Sequence, residues 1–113
     1  MKIFVTGGCG FIGSNFIINE LSKGSSILNF DKLTYAGNLS NLKSARNNEL
    51  YSFIKGDICF IDNLKKAIND FSPDVLVHFA AESHVDRSIN SPMEFINTNI
   101  VGTANILNIA YDY

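Results

Sequence analysis

Lys2-Ile3-Phe4-Val5-Thr6-Gly7-Gly8-Cys9-Gly10-Phe11-Ile12-Gly13 decides the fold of this chain. Residues Lys2 to Thr6 are mostly apolar with little alternation, the pattern of a strand covered on both faces. The glycines that follow force a turn. From Phe11 onward Ile12, Phe16, Ile17 and Leu21 recur at helical spacing until Lys23-Gly24 supplies a stop. Strand, glycine loop and helix therefore succeed one another without a spacer. The loop satisfies G-x-x-G-x-x-G through Gly7, Gly10 and Gly13, and also G-x-G-x-x-G from Gly8. Such a pattern is weak alone, but between a strand and a helix it is the context of a dinucleotide fingerprint. Glycine permits the tight turn and lets backbone N–H groups approach a pyrophosphate, whose charge the positive end of the helix favours. The plainer alternative is a glycine-rich turn that only joins strand to helix.

Working outward, Ile27 to Phe30 forms a second apolar run ending on Asp31, and an asparagine-rich stretch from Thr34 to Glu49 reads mostly as loop. Tyr51 to Lys55 is a third strand. Ile61, Leu64, Ile68 and Phe71 mark a second amphipathic helix, which Ser72-Pro73 ends. Val75 to Ala80 is a fourth strand. Beyond Pro92, the residues Ile96, Ile100, Ala104, Leu107 and Tyr111 share one helical face that runs to the last residue. Strands alternating with helices imply parallel pairing through right-handed crossovers, hence an α/β fold with a doubly wound, Rossmann-like parallel sheet. With the strand order usual for this class, the fourth strand lies beside the first and leaves its outer edge bare. The chain reads as truncated after about four strands.

A chain of 113 residues accommodates one small domain, and 46% hydrophobic with 18% charged residues is an ordinary globular composition. Nine Lys and Arg against eleven Asp and Glu give a net charge of −2 with no basic run. That leaves no electrostatic footprint for nucleic acid or an anionic membrane surface. The apolar run Ile3-Phe4-Val5 is too short for a signal-peptide core or a bilayer span, so the expected location is cytoplasmic. Cys9 and Cys59 lack metal-ligand spacing and read as free thiols; no metal site is expected.

The residues that carry chemistry follow the strands. Asp31 closes the second one, at the place where an acidic side chain accepts hydrogen bonds from adenosine ribose hydroxyls and repels a 2′-phosphate. This favours NAD over NADP, with Lys32 next door softening the preference; a loop-capping aspartate is the alternative. Asp57 follows the third strand and is placed either at an adenine edge or at the N-cap of the next segment. After the fourth strand, Phe79-Ala80-Ala81 and then Glu82-Ser83-His84-Val85-Asp86-Arg87-Ser88 pass from small residues to a dense polar cluster. Small side chains leave room for a cofactor, and Arg87 can answer a diphosphate, unless the cluster is only a solvated loop. His78, inside an apolar run, reads as a satisfied core histidine, and His84 is the better substrate contact. Ser83-His84 is no hydrolase dyad, because no nucleophile elbow surrounds the serine.

Tyr51 and Lys55 stand four apart, the spacing of an acid/base couple on a helix, where the two groups lie about 6 Å from one another. In a strand the same spacing spans roughly 13 Å. These two lie in a strand pattern, and no other Tyr has a Lys at that offset. No catalytic residue is assigned in this chain.

The glycine loop, Asp31-Lys32-Leu33-Thr34-Tyr35-Ala36-Gly37-Asn38-Leu39, Gly56-Asp57-Ile58-Cys59, the run from Ala80 to Ile89, and Asn97-Thr98-Asn99-Ile100-Val101-Gly102-Thr103 together resemble the extended short-chain dehydrogenase/reductase family. Within it they are most similar to the dTDP-glucose 4,6-dehydratases. The likeness spans nearly all of the chain, with Phe79 replacing a more usual leucine and Cys9 an alanine. It implies that Phe11 and Ile12 flank the pyrophosphate of NAD, and that Asp31, Lys32, Leu33 and Thr34 surround the adenosine ribose. It puts Asp57 and Ile58 at the adenine, Phe79, Ala80, Ala81, Glu82 and Ser83 along the cofactor, and Thr98 toward the nicotinamide. Ser83 would also touch the sugar.

For the whole enzyme the resemblance implies oxidation of a nucleotide sugar (dTDP-glucose) at C4, loss of water across C5 and C6, and return of the hydride to C6, in a homodimer built partly through the last helix. The family's Thr-Asp-Glu segment and its helical Tyr-x-x-x-Lys pair lie downstream of a helix like the one ending at Tyr113, so residues 1–113 are expected to form an incomplete NAD-binding domain without its substrate domain, inactive alone. Two further readings stand beside it: an NAD-dependent nucleotide-sugar epimerase or decarboxylase, and a non-catalytic NAD-binding module or truncated product.

Overall fold

The computed structural model describes residues 1–33, 38–81 and 92–113. Four parallel strands, β1 (Lys2–Thr6), β2 (Ser26–Asp31), β3 (Tyr51–Lys55) and β4 (Val75–His78), lie in the order β3-β2-β1-β4. This is one wing of a doubly wound sheet plus the first strand of the other, as the alternation of elements predicts. Val5 stands opposite Asn29 and Val77, and Phe30 opposite Ile54. All four strands therefore end along the same edge of the sheet.

Helices cover both faces. On one side α1 (Phe11–Ser22) and a 3₁₀ segment (Leu39–Ala45) enclose Ile3, Val5, Cys9, Ile17, Leu21, Ile27 and Leu42. On the other, α2 (Ile61–Phe71) and the last helix enclose Phe4, Leu28, Phe30, Ile58, Leu64, Ile68, Ile106 and Ile109. Successive residues of β1 feed opposite cores, which is why its sequence is apolar without alternation. A side chain such as Leu64, fully buried, contributes about 1.5–3 kcal/mol through burial alone.

Each helix stops where its sequence cannot continue it. Gly24, at φ +86°, donates its N–H to the Leu21 carbonyl and closes α1. Ser72, in the left-handed region, caps α2 immediately before Pro73.

Three expectations need adjustment. Ile12 is exposed, because at the start of α1 the inward positions belong to Gly13 and Ser14, which allow the helix to press against the glycine loop. The stretch read as loop contains the 3₁₀ segment, started by the Asn38 side chain accepting the Ser40 N–H at 2.9 Å. The C-terminal helix is continuous in backbone conformation but widens midway: α3 (Pro92–Ile96), a π-helical turn (Asn97–Gly102) and α4 (Thr103–Asp112). Its apolar stripe has the predicted period yet faces outward, with Leu107 63% and Tyr111 91% exposed. The inward face is built from Gly102, Thr103, Asn105, Ile106 and Ile109: Gly102 permits the close approach, Thr103 and Asn105 make hydrogen bonds, and the two isoleucines enter the core. At Gly102 a Cβ would lie 2.4 Å from Ile58 Cδ1.

Candidate functional site at the carboxyl edge of the sheet

Gly7 follows β1 with φ +70°, a conformation that L side chains rarely adopt, and a Cβ there would stand 2.5 Å from the Ala80 backbone nitrogen. Its N–H continues the ladder to the Phe30 carbonyl at 3.1 Å. Gly13 lies so close beneath the loop that a Cβ would come within 2.5 Å of the Gly7 carbonyl oxygen. Gly10 is the N-cap of α1, with no capping side chain and no acidic residue in the first turn. The N–H groups that open a helix have no intrahelical partner, so this end presents free donors and the positive end of the dipole. Phe11 and Ile12, 80% and 68% exposed, flank it.

The loop is fastened from below by β2. The Asn29 side chain, fully buried, accepts the Gly8 N–H at 3.0 Å and donates to Cys9 Sγ at 3.4 Å and Tyr51 Oη at 3.2 Å. Asp31 accepts the Cys9 N–H through Oδ2 at 2.8 Å and the Leu33 N–H through Oδ1 at 2.7 Å. The capping alternative for Asp31 is thus realised, and each carboxylate oxygen keeps a second lone pair for a ligand hydroxyl. The Cys9 carbonyl is held in turn by the Asn41 side chain and the Asn38 N–H. Burial, with the Asp31 carboxylate next in weight, pushes the Cys9 thiol up to about 11, so it is neutral packing material.

At the ends of β2 and β3 the Lys32 ammonium lies 3.3 Å from Asp57 Oδ2, while Asp57 Oδ1 accepts the Cys59 N–H at 2.9 Å. Partial burial pushes the Asp57 carboxyl up, but the Cys59 N–H and the Lys32 charge outweigh it and hold the group below the ordinary range. Leu33 adopts φ +61° within the turn that Asp31 caps. The Ile58 side chain belongs to the core, and its carbonyl accepts from Asn105 Nδ2.

Beyond β4, Phe79 packs on Phe16 with ring centroids 5.5 Å apart and donates its N–H to the Thr6 carbonyl. Ala80 N–H donates to Thr6 Oγ1 at 3.3 Å, and Ala81 is exposed. The Thr6 hydroxyl lies 2.6 Å from His78 Nδ1, and His78 Nε2 lies 3.0 Å from Thr103 Oγ1. The Thr6 and Thr103 hydroxyls can each donate or accept, so the neutral ring has a hydrogen-bond partner at both nitrogens in either tautomer. Burial pushes the His78 pKa down, so the ring is neutral and satisfied at both nitrogens, the core histidine its apolar neighbours suggest. Thr98 is half-buried in the π-helical turn. Thr34, Glu82, Ser83, His84 and Arg87 lie outside the described residues.

Hydrogen bonds, ion pairs and close packing link Asp57 to Lys32, Asp31 to Cys9 and Gly7 to Ala80 along one edge. Sequence reading found the acids and glycines of this edge but missed Asn29, Asn41 and Tyr51 as its supports. The available signal was Asn29 itself, a polar residue inside an apolar strand. Tyr51 and Lys55 both lie in β3, which leaves the tyrosine hydroxyl under the loop and not in an acid/base couple. Among the described residues no group of His, Cys, Asp and Glu has the arrangement to hold a metal, and no helix is long and apolar enough to cross a membrane.

The profile of the family described as GDP-mannose 4,6 dehydratase matches residues 4–113. The chain is 52% identical over 116 aligned positions to a dTDP-glucose 4,6-dehydratase of Escherichia coli, covering 100% of this chain and 32% of that protein. A dTDP-glucose 4,6-dehydratase of Streptomyces venezuelae, solved with NAD bound, superposes with a TM-score of 0.91 at 41% identity, covering 99% of this chain and 36% of that one. A UDP-glucose 4-epimerase of Thermus thermophilus in complex with NAD gives 0.87 at 28% identity, covering 100% and 34%. The chain spans about a third of the length of the curated relatives it matches.

Proposed function

The chain belongs to the GDP-mannose 4,6 dehydratase family, and on that premise we propose that it is the NAD-binding part of a dTDP-glucose 4,6-dehydratase. The observation that carries this reading is the uncapped start of α1 above a glycine loop that Asn29 and Asp31 hold rigid. A dinucleotide pyrophosphate fits that cradle: donors converge where Gly7 and Gly13 leave no space for a side chain. Asp31, with Lys32, Leu33 and Thr34 after it, would bound the adenosine ribose, and Asp57 the adenine. Phe79, Ala80 and Ala81 would line the path of the cofactor toward Glu82 and Ser83, with Thr98 on the nicotinamide side. Ser83, His84 and Arg87 would meet the nucleotide sugar, Arg87 answering its diphosphate.

Bound NAD would accept a hydride from sugar C4 and return it to C6 after water is lost, giving dTDP-4-keto-6-deoxyglucose. The chain's own part in this is to bind and orient. Its Tyr51 and Lys55 both lie in β3 and are not proposed as an acid/base couple, and residues 1–113 are proposed as NAD-binding. The full enzyme is proposed as a cytoplasmic homodimer, for which the outward apolar stripe of α3 and α4 supports an interface.

A second reading is supported by the likeness to the NAD-bound UDP-glucose 4-epimerase: a nucleotide-sugar epimerase or decarboxylase would share the same cofactor edge. Product analysis of the complete enzyme separates them, since the first makes a 4-keto-6-deoxy sugar and the second a C4 epimer or a pentose. The binding claim is tested on this chain by calorimetric titration with NAD. Saturable heat is expected; no heat up to millimolar NAD removes the proposal, including its form as a non-catalytic module.

A further inference from the structure

Lys32 immediately follows the aspartate proposed to face the adenosine ribose, and a free ammonium there is what a 2′-phosphate would seek. In this structure the ammonium is not free. It is 3.3 Å from Asp57 Oδ2, across the gap between the ends of β2 and β3. The arrangement is built from both sides. Asp31 Oδ1 accepts the Leu33 N–H and Leu33 takes φ +61°, which sets the course of the chain on either side of Lys32. Asp57 is oriented by the Cys59 N–H on its other oxygen, and its side chain is only 17% exposed against 44% for Lys32. The carboxylate is therefore the fixed member of the pair and the lysine the tethered one.

We propose that Asp57 is a specificity-determining positioning residue: by holding Lys32 it withholds that cation from a 2′-phosphate, so that preference for NAD over NADP rests on two carboxylates, Asp31 and Asp57. This rests on the NAD-binding reading above. Asp31 sets repulsion at the ribose, and Asp57 removes the attraction that its neighbour would offer. Both charges of the pair are retained when NAD binds, because a ribose with free hydroxyls makes no demand on the ammonium.

The test is titration calorimetry of the full chain with NAD and with NADP, in wild type, Asp57→Asn, Lys32→Met and the double variant. The asparagine keeps an oxygen for the Cys59 N–H, and Asp57→Ser serves the same purpose should Asp57→Asn disturb the fold, which circular dichroism reports. Any adenine contact of Asp57 is common to both ligands and divides out of the ratio of their dissociation constants. The expected result is a fall of about tenfold in the ratio of the NADP to the NAD constant in Asp57→Asn, the size of one charge-assisted hydrogen bond. Adding Lys32→Met should return the ratio to its wild-type value. An unchanged ratio in Asp57→Asn, or one that Lys32→Met fails to restore, overturns the proposal while NAD binding stands. Absence of NAD binding to folded wild type overturns both readings at once and is recognised by that difference.

Discussion

Replacing Asn29 by leucine tests whether the glycine loop is held by its own backbone or by the strand beneath it. The side chains are similar in size, so the change creates little cavity, but it leaves the buried Gly8 N–H without its acceptor at 3.0 Å and removes the donor 3.2 Å from Tyr51 Oη. An orphaned buried donor costs about 1–3 kcal/mol and a lost neutral hydrogen bond about 1 kcal/mol, while the added apolar surface returns somewhat less than either. The net expectation is a loss of about 1–3 kcal/mol, a large share of the stability of a domain this size, which is typically about 5–15 kcal/mol. Urea unfolding followed by circular dichroism measures it directly. Tyr51→Phe supplies the control. Alone it should cost about 1 kcal/mol or less, and in the Asn29→Leu background nothing, because its partner is gone. A loss under about 1 kcal/mol for Asn29→Leu, or a Tyr51→Phe cost that is the same in both backgrounds, would refute the claim that this network carries the loop.

Gly7→Ala should destabilise by about 2 kcal/mol or more, combining an unfavourable positive φ with a Cβ 2.5 Å from the Ala80 backbone; a denaturation midpoint within error of wild type would contradict it. His78, whose folded pKa lies below its ordinary 6.5, binds fewer protons folded than unfolded in the window between the two values. Stability from this group is therefore complete above about pH 6.5 and is lost as pH falls through that window; His78→Gln should flatten the slope of stability against pH there, and an unchanged slope would remove the assignment. Leu107→Glu on the outward stripe should weaken self-association in sedimentation at high protein concentration, and a wild-type chain that stays monomeric throughout would show that the stripe drives no association by itself.

The two central strands are legible because they are buried on both faces and read as apolar runs, whereas the edge strand Tyr51–Lys55, half-buried or exposed along its length, is legible residue for residue because Gly56 bounds it and aromatic and β-branched residues fill it. Asp31 and Asp57 stood out because each ends or follows an apolar run. Direction is harder to read than period. The C-terminal stripe from Ile96 to Tyr111 has a clean helical spacing, yet the helix turns Gly102, Ile106 and Ile109 to the sheet, and nothing in spacing distinguishes a face that packs on this chain from one that stays exposed. Ile58, which the resemblance puts at the adenine beside Asp57, fills the core under Gly102 with its side chain, a packing role that spacing does not reveal. The asparagines were opaque for a different reason. Asn29, Asn38 and Asn41 act through side-chain hydrogen bonds to groups far along the chain or to local backbone, and such bonds leave no periodic trace.

The fastenings of the glycine loop also carry a temporal meaning. Those made by Asn29, Asp31 and Asn41 join residues 20 to 32 positions apart, whereas the Thr6 contacts to His78 and Ala80 close gaps of 72 and 74. Loop-closure entropy makes the longer closures dearer by about 1 kcal/mol, and each requires the intervening chain to exist first. On a ribosome, the phosphate cradle can set as soon as β3 has emerged, while the wall beyond β4 is still being synthesised. The fastenings of the glycine loop thus lie wholly within the front of the chain and do not wait for the residues beyond β4.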